Sequence, residues 1–387
     1  MELINRPLYL QQLQKLRGRK AIKILLGARG VGKTSLLDIF AQDLQNSGVN
    51  RENIIHFDFD TINFKNLDVS DLFKALTAQI PKTGKTYLLL DEISQIPNWQ
   101  NAIIQIMNNF DVDIYLTSSV NLSKIAAPTI PVNVLPLSFK EFQTFYNFAE
   151  DVPLKERFAM YLQFGGMPAV IKTLPDISAA ISILSNDFYA SILRDVVAGS
   201  KITDFNLMIG LVKKIFIQVG KIQSYNKFSK MFEENPPAVR TVENYVEHLC
   251  AAQVLQSLSV TDLRRDNTLK RLAKYYPVDF GYSTLMIGKQ EISQEMLENA
   301  VYAELLRRGY EISAYRVKNS LVFQVERGAA GDRIYINVVK HTTAASFVPL
   351  RAVKNLFAKW VITADEHVTD SNDGIKVINV LDFLMTK

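Results

Sequence analysis

Cysteine is nearly absent from this sequence, and long apolar runs are absent altogether. Cys250 is the single cysteine among 387 residues, so the chain can form no internal disulfide and no cysteine-rich metal site. The four histidines are scattered along the chain. No run approaches the roughly 18 apolar residues that cross a bilayer. We therefore expect a cytoplasmic protein, in a reducing compartment, with no membrane partner.

Residues 1–7 also lack the features of a secretory signal peptide, which are a basic start, an apolar stretch and a small-residue cleavage site. The composition, 48% hydrophobic and 21% charged, is typical of a globular protein. A chain of 387 residues exceeds one ordinary domain, since domains usually have about 100–200 residues. With the motifs described below, we predict three domains: 1–150, 151–285 and 286–387.

The most specific motif is a phosphate-binding loop. Residues 27–34 fit the Walker A pattern G-x-x-x-x-G-K-[ST] at every fixed position, between a strand-length apolar run and a helical pattern. Backbone N–H groups and the helix N-terminus would bind the phosphates of ATP, while Lys33 reaches the outer phosphates and Thr34 ligates Mg²⁺. The predicted nucleotide-binding residues of this loop are Gly27, Ala28, Arg29, Gly30, Val31, Gly32, Lys33, Thr34 and Ser35.

An apolar strand at residues 86–90 leads into two consecutive carboxylates, as in a Walker B motif. Asp91 has the place of the acid that holds Mg²⁺ through water. Glu92 has the place of the base that activates the attacking water. Acid pairs at strand ends also serve as helix caps, but a phosphate loop and an intervening strand at residues 53–60 precede this pair. We therefore predict catalytic roles for Glu92 and Lys33 and a metal site at Thr34 and Asp91.

A further strand, residues 113–119, ends in three hydroxyl residues, Thr117, Ser118 and Ser119. We predict that Thr117 senses the terminal phosphate, although hydroxyls at strand ends are often ordinary turn formers. A strand at 132–135 would complete five parallel strands with helices on both faces. That α/β architecture places ligands at the carboxyl ends of the strands.

Taken together, these motifs resemble one group of proteins. The loop, the Leu-Asp-Glu-Ile stretch at 90–93, the strand at 114–117 and Pro-Leu-Ser-Phe at 136–139 are similar to the AAA-type P-loop ATPases of bacteria and archaea that carry a C-terminal domain of unknown function. Four later stretches agree with this resemblance: 165–168, 274–279, 297–299 and 305–310. The resemblance covers nearly the whole chain and implies the fold, ATP and Mg²⁺ as ligands, and ATPase activity.

Two departures from the family pattern bear on turnover. The family usually has Thr-Gly-Ser after the fourth strand, where this chain has Thr-Ser-Ser at 117–119. It then has a Gly-Arg pair, whereas residues 120–135 contain no arginine. A charge-stabilising arginine is worth orders of magnitude in rate. The sequence therefore predicts slow hydrolysis.

Residues 206–276 have a winged-helix pattern of three helices, at 207–219, 225–232 and 239–251, followed by two short strands. The turn between the strands is basic and contains Arg264, Arg265, Lys270 and Arg271. This segment has eleven Lys and Arg against six Asp and Glu, a net charge of +5 that equals that of the whole chain. A basic wing suits phosphate backbones, so these four residues are candidate DNA contacts. Winged helices also dock proteins, and a protein partner remains an alternative.

The family's C-terminal domain resembles a restriction-endonuclease fold, whose metal site needs an acid on one strand and a Glu-x-Lys on the next. In this chain Val322 stands at the acid position, and Asn337 and Val339 stand at the Glu and Lys positions. Glu298 alone cannot hold Mg²⁺, which prefers several hard oxygens in octahedral array. We predict a degenerate nuclease fold with a structural or partner-binding role.

The sequence thus predicts an ATP-binding, slowly hydrolysing ATPase coupled to a winged-helix module that binds DNA or a protein. The first alternative is a nucleotide-responsive interaction or signalling scaffold without DNA binding. The second is an ATP-dependent nuclease, which the missing acids on the C-terminal strands disfavour. The predicted fold is a P-loop parallel sheet with helices on both faces, a winged-helix segment and a small α/β C-terminal domain.

Overall fold

The fold is that of a computed structural model, which describes residues 5–60, 68–122, 125–197, 202, 204–262, 267–317, 320–327, 332–368 and 371–386. The chain divides into two compact units, Met1–Val134 and Leu135–Lys387. No helix within the described ranges is long and apolar enough to cross a membrane. The division into three domains stays a prediction.

Among its described residues, the first unit has one sheet of five parallel strands. The strands are β1 (Ile22–Leu26), β2 (Ile54–Asp58), β3 (Thr86–Asp91), β4 (Val112–Ser118) and β5 (Thr129–Asn133). Their order in the sheet is β2-β3-β4-β1-β5. The helices are α1 (Pro7–Leu16), α2 (Lys33–Asn46), α3 (Val69–Thr77) and α4 (Trp99–Asn109). This confirms the predicted parallel α/β sheet, although β5 begins three residues earlier than expected.

The register of this sheet brings the chemically important residues to one edge. Every residue of β1 and β3 is buried, as their continuous apolar runs predict for central parallel strands. Asp58 of β2 pairs with Asp91 of β3, and Leu26 of β1 pairs with Ser118 of β4. Because all five strands run in the same direction, the segments that follow β1, β2, β3 and β4 meet at the carboxyl edge.

The second unit begins with helices. They are α5 (Phe139–Tyr146), α6 (Leu154–Phe164), α7 (Pro168–Thr173), α8 (Ile177–Ala190) and a π-helix (Ser191–Val197). Ser138 starts α5 in a capping box: its side chain accepts from the Glu141 backbone N–H at 3.0 Å, and Glu141 Oε2 accepts from the Ser138 N–H at 2.8 Å. The Pro-Leu-Ser-Phe motif therefore encodes the start of a helix.

The predicted order of three helices and two strands is present. The elements are α9 (Phe205–Ile217), α10 (Tyr225–Lys230), α11 (Val239–Ala251), β6 (Leu255–Asp262) and β7 (Asn267–Pro277). β6 and β7 form an antiparallel hairpin, and Gln223 forms an isolated bridge with Ala273 of β7. Arg264 and Arg265 lie outside the described residues. Lys270 and Arg271 lie in β7, where only the backbone is described.

The hairpin belongs to a larger mixed sheet. The further elements are α12 (Phe280–Ile287), α13 (Gln294–Arg307), β8 (Glu311–Val317), β9 (Ser320–Arg327), β10 (Asp332–Val339), α14 (Ala344–Ala352), β11 (Ala358–Thr363), β12 (Ser371–Asn372), β13 (Ile375–Asn379) and α15 (Val380–Met385). The order of the strands in the mixed sheet is β12-β13-β11-β10-β9-β8-β6-β7. The sequence did not predict β8, β12, β13 or α15. Helix α14 ends at Ala352, because Val353 adopts an extended backbone.

The stretches 165–168 and 274–279, which resemble the family, are in contact at a buried carboxylate in the second unit. Asp279 is 1% exposed and accepts hydrogen bonds from the backbone N–H groups of Gly166, at 2.6 Å, and Gly281, at 2.8 Å. Burial raises the pKa of Asp279 to about 7, although the two backbone N–H groups act in the opposite direction. Gly165, with φ of +79°, lies so close that a Cβ there would overlap the Asp279 carboxylate. Asp279 therefore ties the 165–168 turn to the start of α12.

Candidate functional site

The loop after β1 has the backbone that phosphate binding requires. Gly30 and Gly32 have φ of +81° and +91°, in the left-handed region that glycine adopts without steric cost. Gly32 is the N-cap of α2, so the helix begins at Lys33 with its free N–H groups directed at the loop. A Cβ at Gly27 would overlap the Val134 carbonyl. The glycines thus permit a close turn that ends in an anion-binding helix terminus.

Lys33 is the centre of the hydrogen-bonded cluster at this edge. Its side chain is 5% exposed, and Nζ donates to the carbonyls of Gly27 and Ala28 at 3.0 and 3.2 Å. It also donates to Ser119 Oγ at 2.9 Å and lies 3.1 Å from Glu92 Oε1. A buried ammonium without partners would be strongly unfavourable, and these four oxygens compensate its desolvation. The positive charge of Lys33 therefore lies next to the backbone of the phosphate loop.

Asp91 connects the phosphate loop to the end of β3. Asp91 Oδ2 accepts a hydrogen bond from Thr34 Oγ1 at 2.6 Å, and Oδ1 accepts one from Thr117 Oγ1. Burial raises the pKa of Asp91, whereas the Thr117 and Thr34 hydrogen bonds oppose that shift. One carboxylate and one hydroxyl oxygen, side by side, are hard donors of the kind that Mg²⁺ accepts while keeping several waters. The donor set therefore fits Mg²⁺, and Ser35 lies exposed beside it on the first turn of α2.

Glu92 is held in an unusual backbone conformation by side-chain contacts. Its φ is +50°, which for a residue other than glycine costs of order 1–3 kcal/mol. Glu92 Oε1 accepts from Ser119 Oγ at 2.6 Å, and Oε2 accepts from the Ser119 N–H at 3.3 Å. Burial alone would raise its pKa, but Lys33, Ser119 and Arg29 together hold the pKa below its usual value. These contacts thus stabilise the negative charge of the Glu92 carboxylate.

The three hydroxyl residues at the end of β4 have different partners. Thr117 is fully buried, and its Oγ1 donates to Asp91 and accepts from the Glu92 backbone N–H at 2.8 Å. Ser118 Oγ donates to the Val120 carbonyl at 2.7 Å. Only Ser119 contacts Lys33. The contact of Thr117 with the terminal phosphate stays a prediction. In the structure, the hydrogen bonds of Thr117 orient the Asp91 side chain and the Glu92 backbone.

Three residues at this edge were not singled out from the sequence. Ser119 carried a signal, because it ends the hydroxyl run, yet its partners are 86 and 27 residues away in the chain. Asp60 follows the acid-ended strand β2 and pairs with Arg29 of the loop. Arg6 is buried, and its Nη1 donates to the Val31 carbonyl at 3.1 Å. A single arginine before a helix gives no sequence signal for such a contact.

The positions predicted for a nuclease site have structural partners instead. Val322 is buried in β9, and Asn337 Nδ2 donates to the Ser346 carbonyl at 2.8 Å. The Glu298 carboxylate accepts from Lys274 Nζ and Tyr276 OH. Across the described residues, no group of three or more His, Cys, Asp or Glu side chains is arranged to hold a metal ion. The predicted loss of the nuclease site stays a prediction.

The parallel sheet, the phosphate loop and the carboxylates of β3 lie in a part of the chain that is similar to a known family. Residues 19–143 match the model of a family described as an AAA domain. Residues 155–293 match a family described as a domain of unknown function. The resemblance predicted from the motifs is therefore confirmed.

Similar proteins extend over nearly the full chain. An uncharacterised protein of Haemophilus influenzae is 28% identical over 398 residues, which cover 99% of both chains. The uncharacterised protein MJ1544 of Methanocaldococcus jannaschii is 25% identical over 79% of this chain and 70% of its own length. Neither relative has a described activity, so the alignments indicate shared architecture without naming a process.

Solved structures with similar folds include the Walker-type ATPase PABY2304 of Pyrococcus abyssi, with a TM-score of 0.47 and 14% identity over 73% of this chain and 95% of that one. The Aeropyrum pernix ORC1 protein in complex with DNA has a TM-score of 0.31 and 13% identity over 73% and 93%. AMPPCP-bound DnaA from Aquifex aeolicus has a TM-score of 0.31 and 14% identity over 63% and 87%.

Proposed function

We propose that this protein binds ATP with Mg²⁺ and hydrolyses it slowly, and that nucleotide binding is coupled to its winged-helix segment. The observation that carries the proposal is the cluster at the carboxyl edge of the first sheet. There Lys33 lies 3.1 Å from Glu92, and Thr34 lies 2.6 Å from Asp91. A phosphate-binding cation, a pair of magnesium ligands and an ionised base therefore adjoin one another.

Each group has a defined task in this proposal. The loop N–H groups, the N-terminus of α2 and Lys33 bind the phosphates, which replace the Gly27 and Ala28 carbonyls as partners of Nζ. Thr34 and Asp91 would hold Mg²⁺, which would neutralise phosphate charge when bound. Thr117 fixes the Asp91 carboxylate and the Glu92 backbone. Glu92 then accepts a proton from the water that attacks the outermost phosphate.

Slow turnover follows from the contacts of Glu92. Its carboxylate accepts hydrogen bonds from the Ser119 hydroxyl at 2.6 Å and the Ser119 N–H at 3.3 Å, which make it a weaker base toward water. The segment 120–135 also supplies no arginine to stabilise the charge of the transition state. Both features leave binding intact and reduce the rate of the chemical step.

Phosphate release under steady-state conditions tests the proposed activity. Purified protein with ATP and Mg²⁺ should release inorganic phosphate, and EDTA should abolish the release because Thr34 and Asp91 need the metal to act. Phosphate release that persists in EDTA would contradict the proposed magnesium site. Release that follows a contaminant on a second column would contradict the proposed ATPase activity.

The winged-helix segment is the candidate partner-binding module. Its helices and its β6–β7 hairpin occur in the predicted order, and residues 206–276 carry a net charge of +5. The β6–β7 hairpin, with Lys270 and Arg271 in β7, would bring Arg264, Arg265, Lys270 and Arg271 near phosphates, while α11 would lie in or beside a groove. Duplex DNA is therefore the favoured partner, and an acidic protein surface is the alternative.

The salt dependence of DNA binding should change when the wing is neutralised. Each phosphate contact contributes roughly 0.9 to the slope of log affinity against log salt, so Arg264→Ala with Arg265→Ala should flatten the slope by up to about two units. Sequence preference should hardly change, because phosphate contacts position without specifying bases. Fluorescence anisotropy at several salt concentrations measures the slope.

The control for that experiment is Lys15→Ala with Lys20→Ala, which removes two exposed cations near the N-terminus and should leave the slope unchanged. If no binding occurs at low salt in any nucleotide state, or if the slope does not depend on the wing arginines, DNA binding is contradicted. The interaction scaffold without DNA then becomes the better proposal.

DNA cleavage is not expected. Val322, Asn337 and Val339 provide no metal ligands, and Glu298 is bonded to Lys274 and Tyr276. Supercoiled plasmid incubated with the protein and Mg²⁺ or Mn²⁺ should stay intact. Cleavage that survives rigorous purification and is lost in Glu298→Ala would show that the C-terminal strands are misassigned and would favour the nuclease.

A further inference from the structure

Helix α8 and the π-helix that continues it present a row of apolar side chains to solvent. The large members of the row are Ile177, Ile181, Tyr189 and Leu193, with exposed fractions of 53%, 45%, 36% and 50%. Ser185 completes the spacing of four residues between them. Residues four apart in a helix lie on one ridge, each about 6 Å further along the axis. We call these five residues the α8 ridge.

The α8 ridge differs from an ordinary solvated helix face because its exposed residues are uncharged. The exposed residues from 177 to 193, a range that the structure describes in full, are Ile177, Ser178, Ile181, Ser182, Asn186, Tyr189 and Leu193. By contrast, the exposed side of α6 carries Lys155 and Glu156. Single apolar residues on a surface need no explanation, but a contiguous row indicates an interaction site. Covering this row would remove no exposed charged side chain from water.

The other side of α8 is packed within the second unit. Ala180, Leu184 and Phe188 are buried, and so is Ile192 of the π-helix. The Phe188 ring lies edge-on to that of Tyr282 in α12, with 5.1 Å between the centroids. The ridge is therefore carried by an anchored helix, and a partner that binds it would not have to order the helix first.

The ridge has the same spacing in both directions from Ser185. Two copies that pack antiparallel about this residue bring Ile177 opposite Leu193 of the second copy, and Ile181 opposite its Tyr189. Ser185 then lies opposite itself, and its small side chain permits close approach of the two helices. Ridges of residues four apart form the commonest class of helix pair in globular proteins. A two-fold arrangement thus places every large apolar residue of the ridge against another.

The charges at the two ends of the ridge favour the same arrangement. Asp176 lies one residue before the ridge and Arg194 one residue after it, and both are exposed. In an antiparallel pair, each Asp176 lies opposite the Arg194 of the second copy. A parallel pair would instead bring each charge close to a like charge. The ends of the ridge are therefore complementary to a second copy in the antiparallel orientation.

We propose that the α8 ridge is the docking surface for a second copy of this chain, paired antiparallel about a two-fold axis at Ser185. Such a two-fold contact uses the same surface on both copies, as in most homodimers. It rests on four large apolar side chains per copy, so we expect a small interface with a dissociation constant on the order of micromolar. The ridge lies in the second unit, and this inference does not depend on the proposed ATPase activity.

Sedimentation velocity of the full chain at rising concentration provides the first test. The wild type should change from monomer to dimer between about 1 and 100 µM. Ile181→Lys should weaken association at least about a hundredfold, because each dimer would bury two unpaired ammonium groups. Val348→Lys, the matched control, changes an apolar residue that is 49% exposed outside the ridge, and it should associate as the wild type does. A wild type that stays monomeric, or an Ile181→Lys variant that dimerises equally well, would overturn the proposal.

Disulfide cross-linking tests the register of the pair. In a Cys250→Ser background, Ser185→Cys should form a covalent dimer on mild oxidation, because the two-fold axis brings both copies of residue 185 within the roughly 4.4–6.8 Å between Cα atoms that a disulfide spans. Ser178→Cys is the matched control on the same helix, and its two copies would lie about 20 Å apart, so it should stay monomeric on oxidation. Equal cross-linking of both variants, or of neither, would overturn the antiparallel pairing.

Discussion

Glu92→Gln should bind ATP with the affinity of the wild type and lose its turnover. The amide keeps the size of the side chain and can still accept a hydrogen bond from Ser119, but it cannot accept a proton from water. General-base catalysis contributes roughly 10²–10⁴ in rate, so kcat should fall by that factor. Single-turnover phosphate release and an ATP titration measure the two quantities separately.

Ser119→Ala is a comparison variant for Glu92→Gln. It removes the hydroxyl that donates to the Glu92 carboxylate, but it leaves the charge of the carboxylate in place. If Glu92→Gln retained the turnover of the wild type, Glu92 would not be the base, and the carboxylate would only pair with Lys33. Loss of ATP affinity together with turnover would instead indicate that Glu92 maintains the geometry of the loop through its 3.1 Å contact with Lys33.

Gly165→Ala should destabilise the second unit by about 2–5 kcal/mol. Its φ of +79° is unfavourable for alanine, by roughly 1–2 kcal/mol, and the new Cβ would overlap the Asp279 carboxylate. Asp279 cannot move away without losing the N–H groups of Gly166 and Gly281. Urea unfolding followed by the tyrosine and tryptophan signals reports the change.

Gly288→Ala is a matched control for that variant. Gly288 has φ of +80°, but a Cβ there meets nothing within 4 Å, so only the backbone cost applies. The difference between the two variants therefore isolates the overlap with Asp279. Equal destabilisation in both would contradict the idea that Asp279 ties the 165–168 turn to α12.

Local patterns predicted the parts of the site whose residues are adjacent in sequence. The loop from Gly27 to Thr34 is contiguous, and Asp91 and Glu92 follow directly after a buried strand, so their positions at one edge followed from the direction of parallel strands. The start of α11 at Val239 and its end at Ala251 were also predicted, because an apolar period of 3.6 residues continues between them.

Contacts between residues far apart in the sequence were not predicted, and the reason is physical. The bond of Ser119 to Lys33 spans 86 residues and that of Asp279 to Gly166 spans 113, and such pairs depend on packing that periodicity does not encode. The sequence also showed that Arg29 occupies the loop, but only the fold brings Asp60 to it. Strand β13 was missed although its apolar residues Ile375, Val377 and Ile378 are typical of a strand.

Calorimetric titration of ATP in the presence of Mg²⁺ tests the central claim most directly. The wild type should bind one ATP, and Lys33→Ala should bind at least about a hundredfold more weakly, because a desolvated cation that contacts phosphate contributes roughly 2–5 kcal/mol. Lys20→Ala, an exposed lysine just before β1, should bind as the wild type does. Undiminished ATP affinity in Lys33→Ala would contradict the assignment of the phosphate loop.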